Sequence, residues 1–196
     1  MKRHAPAAQR NRGPILDVLR RVLPERGHAL EVASGSGQHI VAFAEGLPGW
    51  RFSPTDVDPT ARASVDAWVA ELGLSNVEPA VELDACAWPW PVTEADAVLC
   101  SNMIHISPWE TTLGLLRGAG QVLAPGGTLV LYGPFYVDGQ TAPSNVAFDE
   151  SLRARDPSWG VRELSEIQTL ARSHGLVVQQ SVTMPANNLT VVFRRD

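Results

Sequence analysis

Glu31-Val32-Ala33-Ser34-Gly35-Ser36-Gly37 closes a short apolar run that begins at His28. Such a run, ending in alternating serine and glycine, reads as a buried strand over residues 28–33, a tight turn, and a helix from near Gly37 to about Glu45. Glycines at this turn let backbone N–H groups approach an anionic or zwitterionic ligand at a helix N-terminus. The same turn also serves plain strand-to-helix packing.

Working outward, the flanking sequence alternates between strand and helix signals. Upstream, Ile15, Leu16, Val18, Leu19, Val22 and Leu23 recur at helical spacing behind Pro14, so residues 14–23 form a leading helix preceded by a basic arm, 1–13. Downstream, residues 50–55 read as a second strand. Asp58-Pro59 then opens a helix that carries Val65, Val69 and Leu72 and stops at Gly73. Residues 77–83 read as a third strand, 95–101 as a fourth and 128–132 as a fifth, with a helix over 108–123 before the last. Residues 133–161 break the rhythm with glycines and prolines around a short helix at 146–155, and read as an insertion. A helix over 164–174 and two runs, 176–184 and 189–194, finish the chain as an antiparallel hairpin. The expected fold is α/β: a doubly wound, mostly parallel, seven-stranded sheet in one domain, whose ligand sits at the carboxyl ends of the strands.

The composition narrows the function classes. The chain has 196 residues, 44% of them apolar, and a formal charge of −5. That is enough apolar material for one core, without the broad basic field that supplies non-specific nucleic-acid affinity, so DNA is not expected as a partner. No signal-peptide pattern and no membrane span are visible, which points to a cytoplasmic location. Cys86 and Cys100 have no CxxC or His-rich context, so they read as reduced packing residues, and neither a disulfide nor a metal site is expected.

Asp56 falls 21 positions after Gly35 at the end of the second strand, where a carboxylate can accept hydrogen bonds from ribose hydroxyls. Asp58 reads as a helix cap. Asp84, in Leu83-Asp84-Ala85 at the end of the third strand, is suited to an adenine amino group, or to a turn. Together these features resemble the class I S-adenosylmethionine-dependent methyltransferases. The resemblance extends through Asp96-Ala97-Val98-Leu99-Cys100-Ser101-Asn102 and Val122-Leu123-Ala124-Pro125-Gly126-Gly127-Thr128-Leu129. It implies that Glu31, Ala33, Ser34, Gly35, Gly37, Asp56, Asp84, Ala85 and Asn102 bind S-adenosylmethionine, leaving S-adenosylhomocysteine as the product. Ala33 departs from the pattern by standing where a first glycine is usual, which tightens the space beneath the cofactor.

More narrowly, the chain is similar to domain of unknown function family 938, small methyltransferase-like proteins. The residues that carry this are Pro6-Ala7-Ala8-Gln9-Arg10-Asn11-Arg12, Ala33-Ser34-Gly35-Ser36-Gly37-Gln38-His39, Asn102-Met103-Ile104-His105-Ile106-Ser107-Pro108-Trp109, Tyr132-Gly133-Pro134-Phe135 and Met184-Pro185-Ala186-Asn187-Asn188-Leu189. The expected activity is methyl transfer to a small-molecule acceptor. Two rivals stand beside it: a non-catalytic module that binds cofactor or a partner, and a nicotinamide oxidoreductase. Against the latter, Gln38-His39-Ile40 follows the loop and leaves no third glycine at the GxGxxG position.

For the acceptor, His105 just beyond the fourth strand is the candidate base, or else a wall residue. Tyr132, ending the fifth strand, either orients an acceptor or packs. Asn187-Asn188 reads as a hairpin turn or as pocket lining. Arg10 and Arg12 read as a solvated tail or as partners for an acidic acceptor. In the insertion, Phe135, Tyr136, Phe148 and Trp159 suggest either a lid with an apolar lining or a hydrophobic plug.

Overall fold

The computed structural model describes residues 1–196. In chain order the elements are α1 (Pro6–Val22), β1 (Gly27–Val32), α2 (Gln38–Gly46), β2 (Trp50–Pro54), α3 (Pro59–Leu72), β3 (Ala95–Ser101), α4 (Trp109–Val122), β4 (Leu123–Gly133), β5 (Phe135–Tyr136), α5 (Pro143–Arg155), β6 (Arg162–Glu163), α6 (Leu164–Ser173), β7 (Leu176–Met184) and β8 (Asn188–Arg195). The main sheet runs β2-β1-β3-β4-β8-β7, parallel through β4 and antiparallel over β8 and β7. This is the α/β arrangement of the class I methyltransferase fold, with the expected terminal hairpin.

Strand alternation builds a core on each face of the sheet. Leu30, Val32, Val98, Cys100, Leu129, Leu131, Val191 and Phe193 point to one side, where Leu115, Leu116 and Ala119 of α4 and Ile167 of α6 meet them. Ala29, Ala97, Leu99, Val130, Tyr132 and Val192 point to the other, against Ile15, Val18 and Leu19 of α1, Ile40 and Phe43 of α2 and Val65 of α3. With both faces covered, the edge at the strand ends is left for a ligand.

Three expectations about elements are corrected. The main sheet has six regular strands, not seven; residues 77–81 lie beside β2 but pair only through bridges at Phe52–Val77 and Thr55–Val81. Proline explains the interruption. The ladder forms where Glu78 N–H donates to Phe52 O and Val81 N–H to Pro54 O, and it fails between them because Pro54 has no N–H to return. Secondly, the N-terminal arm is not extended up to Pro14. Helix α1 starts at Pro6, because Ala8, Asn11, Ile15, Val18 and Leu19 form one buried stripe that carries the helix through Gly13 and Pro14.

The third concerns the insertion, whose helix runs over Pro143–Arg155 and not from residue 146, with Pro143 in its first turn. It holds α5 and returns through β5 pairing with β6. Phe135 is buried in the core, and Trp159 lies beneath the Arg155 guanidinium. The turn before β8 holds Ala186 and Asn187 at positive φ and docks on α5, where Asn145 Nδ2 donates to Asn187 O at 2.9 Å. No helix is long and apolar enough to cross a membrane.

Candidate functional site

A cleft of about 680 Å³ opens at the carboxyl ends of the strands, a size suited to one cofactor-sized ligand. Of the residues named from sequence, Ala33, Ser34, Gly35, Asp56, Asp84, Ala85 and Asn102 line it. Glu31, Gly37, His105 and Tyr132 do not.

The loop from β1 to α2 is held by hydrogen bonds that cross to the neighbouring strand end. Ser34 N–H donates to Thr55 O at 2.8 Å and Gly37 N–H to Ser34 O at 3.0 Å. Gly35 N–H donates to Asp56 Oδ2 at 2.9 Å, while Asp56 Oδ1 accepts from Asp58 N–H at 2.9 Å. The Asp56 carboxylate therefore braces the loop and still has lone pairs turned to the cleft. Of the loop amides, those of Ala33 and Ser36 have no partner inside the protein, and at the helix N-terminus Ser36 N–H and the first turn of α2 are the donors left for a ligand.

The path of the loop needs positive φ at Ala33 (60°), Gly35 (57°) and Gly37 (86°). Ala33 thus takes a glycine-like conformation without being glycine, at a cost of about 1–2 kcal/mol. Gly37 is needed for space too: a Cβ there would lie 2.9 Å from Val65 Cα, where α2 meets α3.

Glu31 lies beneath the loop, 2% exposed, with Oε2 unpartnered. Burial pushes its carboxyl up to about 7, against a hydrogen bond from Ser34 and with help from the negative Asp56. Asp84 closes its own turn by accepting from Cys86 N–H at 2.8 Å. Asp56 and Asp84 are the only residues of the wall that carry a formal charge at neutral pH, and both are negative.

His105 packs behind the wall. It is fully buried in the 3-10 turn Met103–His105, edge-on to Phe135 at 5.1 Å, and burial with the nearby Arg162 charge lowers it to about 3. Gly133 makes that position available: a Cβ there would come within 2.5 Å of the His105 Nε2. The wall itself presents Asn102, Met103, Ile106 and Ser107 instead. Arg162 holds this stretch from β6, donating through Nε to Ile104 O at 2.9 Å and through Nη2 to Ser107 O at 2.7 Å.

The N-terminal segment closes one side through Ala5, Ala7 and Ala8. It is latched by Arg3 N–H to Ser64 Oγ at 2.7 Å, by Ala5 N–H to Gln38 Oε1 at 2.6 Å, and by ion pairs Arg3–Asp58 and Lys2–Glu71. Arg10 and Arg12 lie outside the cleft, on a groove between α1 and α2, and none of Phe135, Tyr136, Phe148 and Trp159 lines it. Sequence reasoning missed His39, which does. Its signs in the sequence were a polar residue in the first turn after the glycine loop and its place in the Ala33–His39 stretch that carries the family resemblance.

The site can be tested for fit to S-adenosylmethionine. Amide donors at Ser36 and α2 suit its carboxylate, and two uncompensated acids suit a ligand carrying a sulfonium charge. The apolar Val57, Leu83, Met103 and Ile106 suit the adenine and thioether carbons. The residues present fit the group.

A family model described as "Protein of unknown function (DUF938)" matches residues 2–195. Aclacinomycin 10-hydroxylase RdmB from Streptomyces purpurascens is 32% identical over 168 residues, 85% of this chain and 44% of its own length. Ribosomal RNA small subunit methyltransferase G from Ralstonia nicotianae is 31% identical over 116 residues, 59% of this chain and 48% of its own. The chain thus spans about half the length of the curated relatives it matches. Among solved structures, the mitomycin 7-O-methyltransferase MmcR superposes with a TM-score of 0.83 at 20% identity, over 97% of this chain and 54% of that one.

Proposed function

This chain belongs to the DUF938 family, and from that premise we propose that it binds S-adenosylmethionine and transfers its methyl group to a small-molecule acceptor. One observation carries the reading: the glycine loop, Asp56 and Asp84 converge on a single cleft whose wall holds two carboxylates and no Lys or Arg. When bound, the cofactor supplies an electrophilic methyl carbon, whose bond to sulfur breaks as the acceptor's lone pair forms the new one.

The protein's part is alignment and exclusion of water. Asp56 holds the ribose hydroxyls and Asp84 the adenine amino group. Ala33, Ser34, Gly35 and Ala85 shape the floor, Glu31 and Gly37 support it from beneath, and Asn102 with Met103, Ile106 and Ser107 forms the end that an acceptor meets. The net charge of −5 favours a small acceptor over a folded RNA. His105 stands behind this end as a positioning residue, whereas the Tyr132 side chain lies on the α1 face of the sheet; direct proton transfer by His105 requires movement of the 102–107 stretch.

Calorimetric titration with S-adenosylmethionine and S-adenosylhomocysteine tests the reading. Micromolar binding of both is expected, and binding of neither overturns it. A second reading, cofactor binding without methyl transfer, is favoured by one fact: the relative at 32% identity is named a hydroxylase. Tight binding with no methyl incorporation across a broad metabolite extract would select it.

A further inference from the structure

A polar chain crosses from the sheet to the cleft on the α1 side. Tyr132 ends β4 on that face, and the side-chain amide of Asn11 is turned toward its hydroxyl. Asn11 Oδ1 in turn lies 2.6 Å from His39 Nε2. Asn11 and His39 are 8% and 9% exposed, and the His39 ring is stacked on Phe43 at 5.7 Å with 9° between the planes. The imidazole is therefore fixed in place and in tilt.

Its tautomer follows from the partner. An amide oxygen accepts and cannot donate, so Nε2 carries the hydrogen and Nδ1 is left with a bare lone pair. His39 is part of the cleft wall, and Nδ1 has no partner in the protein, yet it is not among the sealed, unpartnered atoms. Burial, with the Arg12 charge, holds the ring down to about 4, so it is neutral at pH 7 and able to accept.

We infer that His39 Nδ1 accepts a hydrogen bond from the protonated amino group of a ligand's α-amino-acid moiety, whose carboxylate lies at Ser36 N–H and the first turn of α2. The inference rests on the proposed cofactor reading and adds a residue to it. The physical need is local. A helix N-terminus attracts a carboxylate but repels the ammonium on the same carbon, so the two ends of one zwitterion require a donor and an acceptor side by side. Ser36 and α2 supply the donors, and His39, in that same first turn, supplies the acceptor. Tyr132 and Asn11 are then positioning residues, and α1 is tied to ligand binding through Asn11.

The test compares two ligands on the full chain. S-adenosylhomocysteine carries the amino-acid group; 5′-methylthioadenosine has the same nucleoside and sulfur without it. In calorimetry, His39→Phe, which keeps the stacking on Phe43, is expected to weaken S-adenosylhomocysteine by about 10- to 100-fold and 5′-methylthioadenosine by less than about twofold. Equal losses for the two ligands, or undiminished S-adenosylhomocysteine binding, overturn the inference. If the wild-type chain binds neither ligand, the cofactor reading itself fails, a different outcome from a selective variant. Should the variant not fold, ¹⁵N spectra of the wild type decide: the His39 Nδ1 resonance moves on adding S-adenosylhomocysteine but not 5′-methylthioadenosine, and an unmoved resonance overturns the inference.

Discussion

Replacing Asp56 by alanine removes two interactions at once. Its Oδ2 accepts from Gly35 N–H and its Oδ1 from Asp58 N–H, both at 2.9 Å, in a residue 8% exposed. Hydrogen bonds to a charged acceptor contribute about 1.5–3 kcal/mol each, and because water can reach the Asp58 side the lower end applies, so Asp56→Ala loses about 3 kcal/mol. Asp56→Asn keeps one carbonyl acceptor and loses about half of that. Ligand binding falls further, because the ribose loses its partner while the loop loses its brace: about 100-fold or more in S-adenosylhomocysteine affinity for the alanine variant. Urea unfolding followed by tryptophan fluorescence gives the first quantity and calorimetry the second. An Asp56→Ala protein as stable as wild type and binding within about threefold would refute both roles. A stability loss with affinity kept would leave Asp56 as a brace alone.

Further consequences follow from groups held out of water. Glu31 has a folded pKa raised to about 7 from 4.5, so its protonated form is favoured by folding. Its stabilising contribution is therefore present at acid pH and is lost as pH rises through that interval, leaving a penalty of about 3 kcal/mol above pH 8. Glu31→Gln should flatten the pH profile of unfolding free energy, gaining over wild type at pH 8 but not at pH 4.5; parallel profiles would contradict this. Gly133→Ala places a methyl 2.5 Å from His105 Nε2 and 2.7 Å from its Cδ2, and should cost about 1–3 kcal/mol in urea unfolding by overpacking; wild-type stability would mean His105 does not fill that space. Cys86 is exposed, whereas burial pushes the Cys100 thiol up to about 12. Iodoacetamide should alkylate one thiol in the native protein and both in denaturant, and two native adducts would contradict the buried placement.

The legible parts of the fold were those where local signals and the sheet agree. The serine-glycine turn, the 21-residue step to Asp56 and the terminal hairpin each depend on backbone chemistry written into a few adjacent residues, and Asp56 is bonded to Gly35 itself. The less legible parts depend on contacts between distant segments. Pro14 reads as a helix start, but the buried stripe from Ala8 to Leu19 overrides it. Residues 77–81 have strand composition, but their ladder depends on whether Pro54, on another strand, can donate. His105 sits at the right place in sequence for a base, yet Gly133 and Phe135 give its ring a buried seat. His39 was missed for the opposite reason, since only the packing of α1 on α2 brings Asn11 to its Nε2 and leaves its other nitrogen for the cleft.

The most direct measurement is a crystal structure with S-adenosylhomocysteine bound. The ribose hydroxyls are expected within hydrogen-bond distance of the Asp56 carboxylate, the adenine amino group at Asp84 and the amino-acid carboxylate at Ser36 N–H. A ligand seated elsewhere, or one whose ribose stands clear of Asp56, would contradict it.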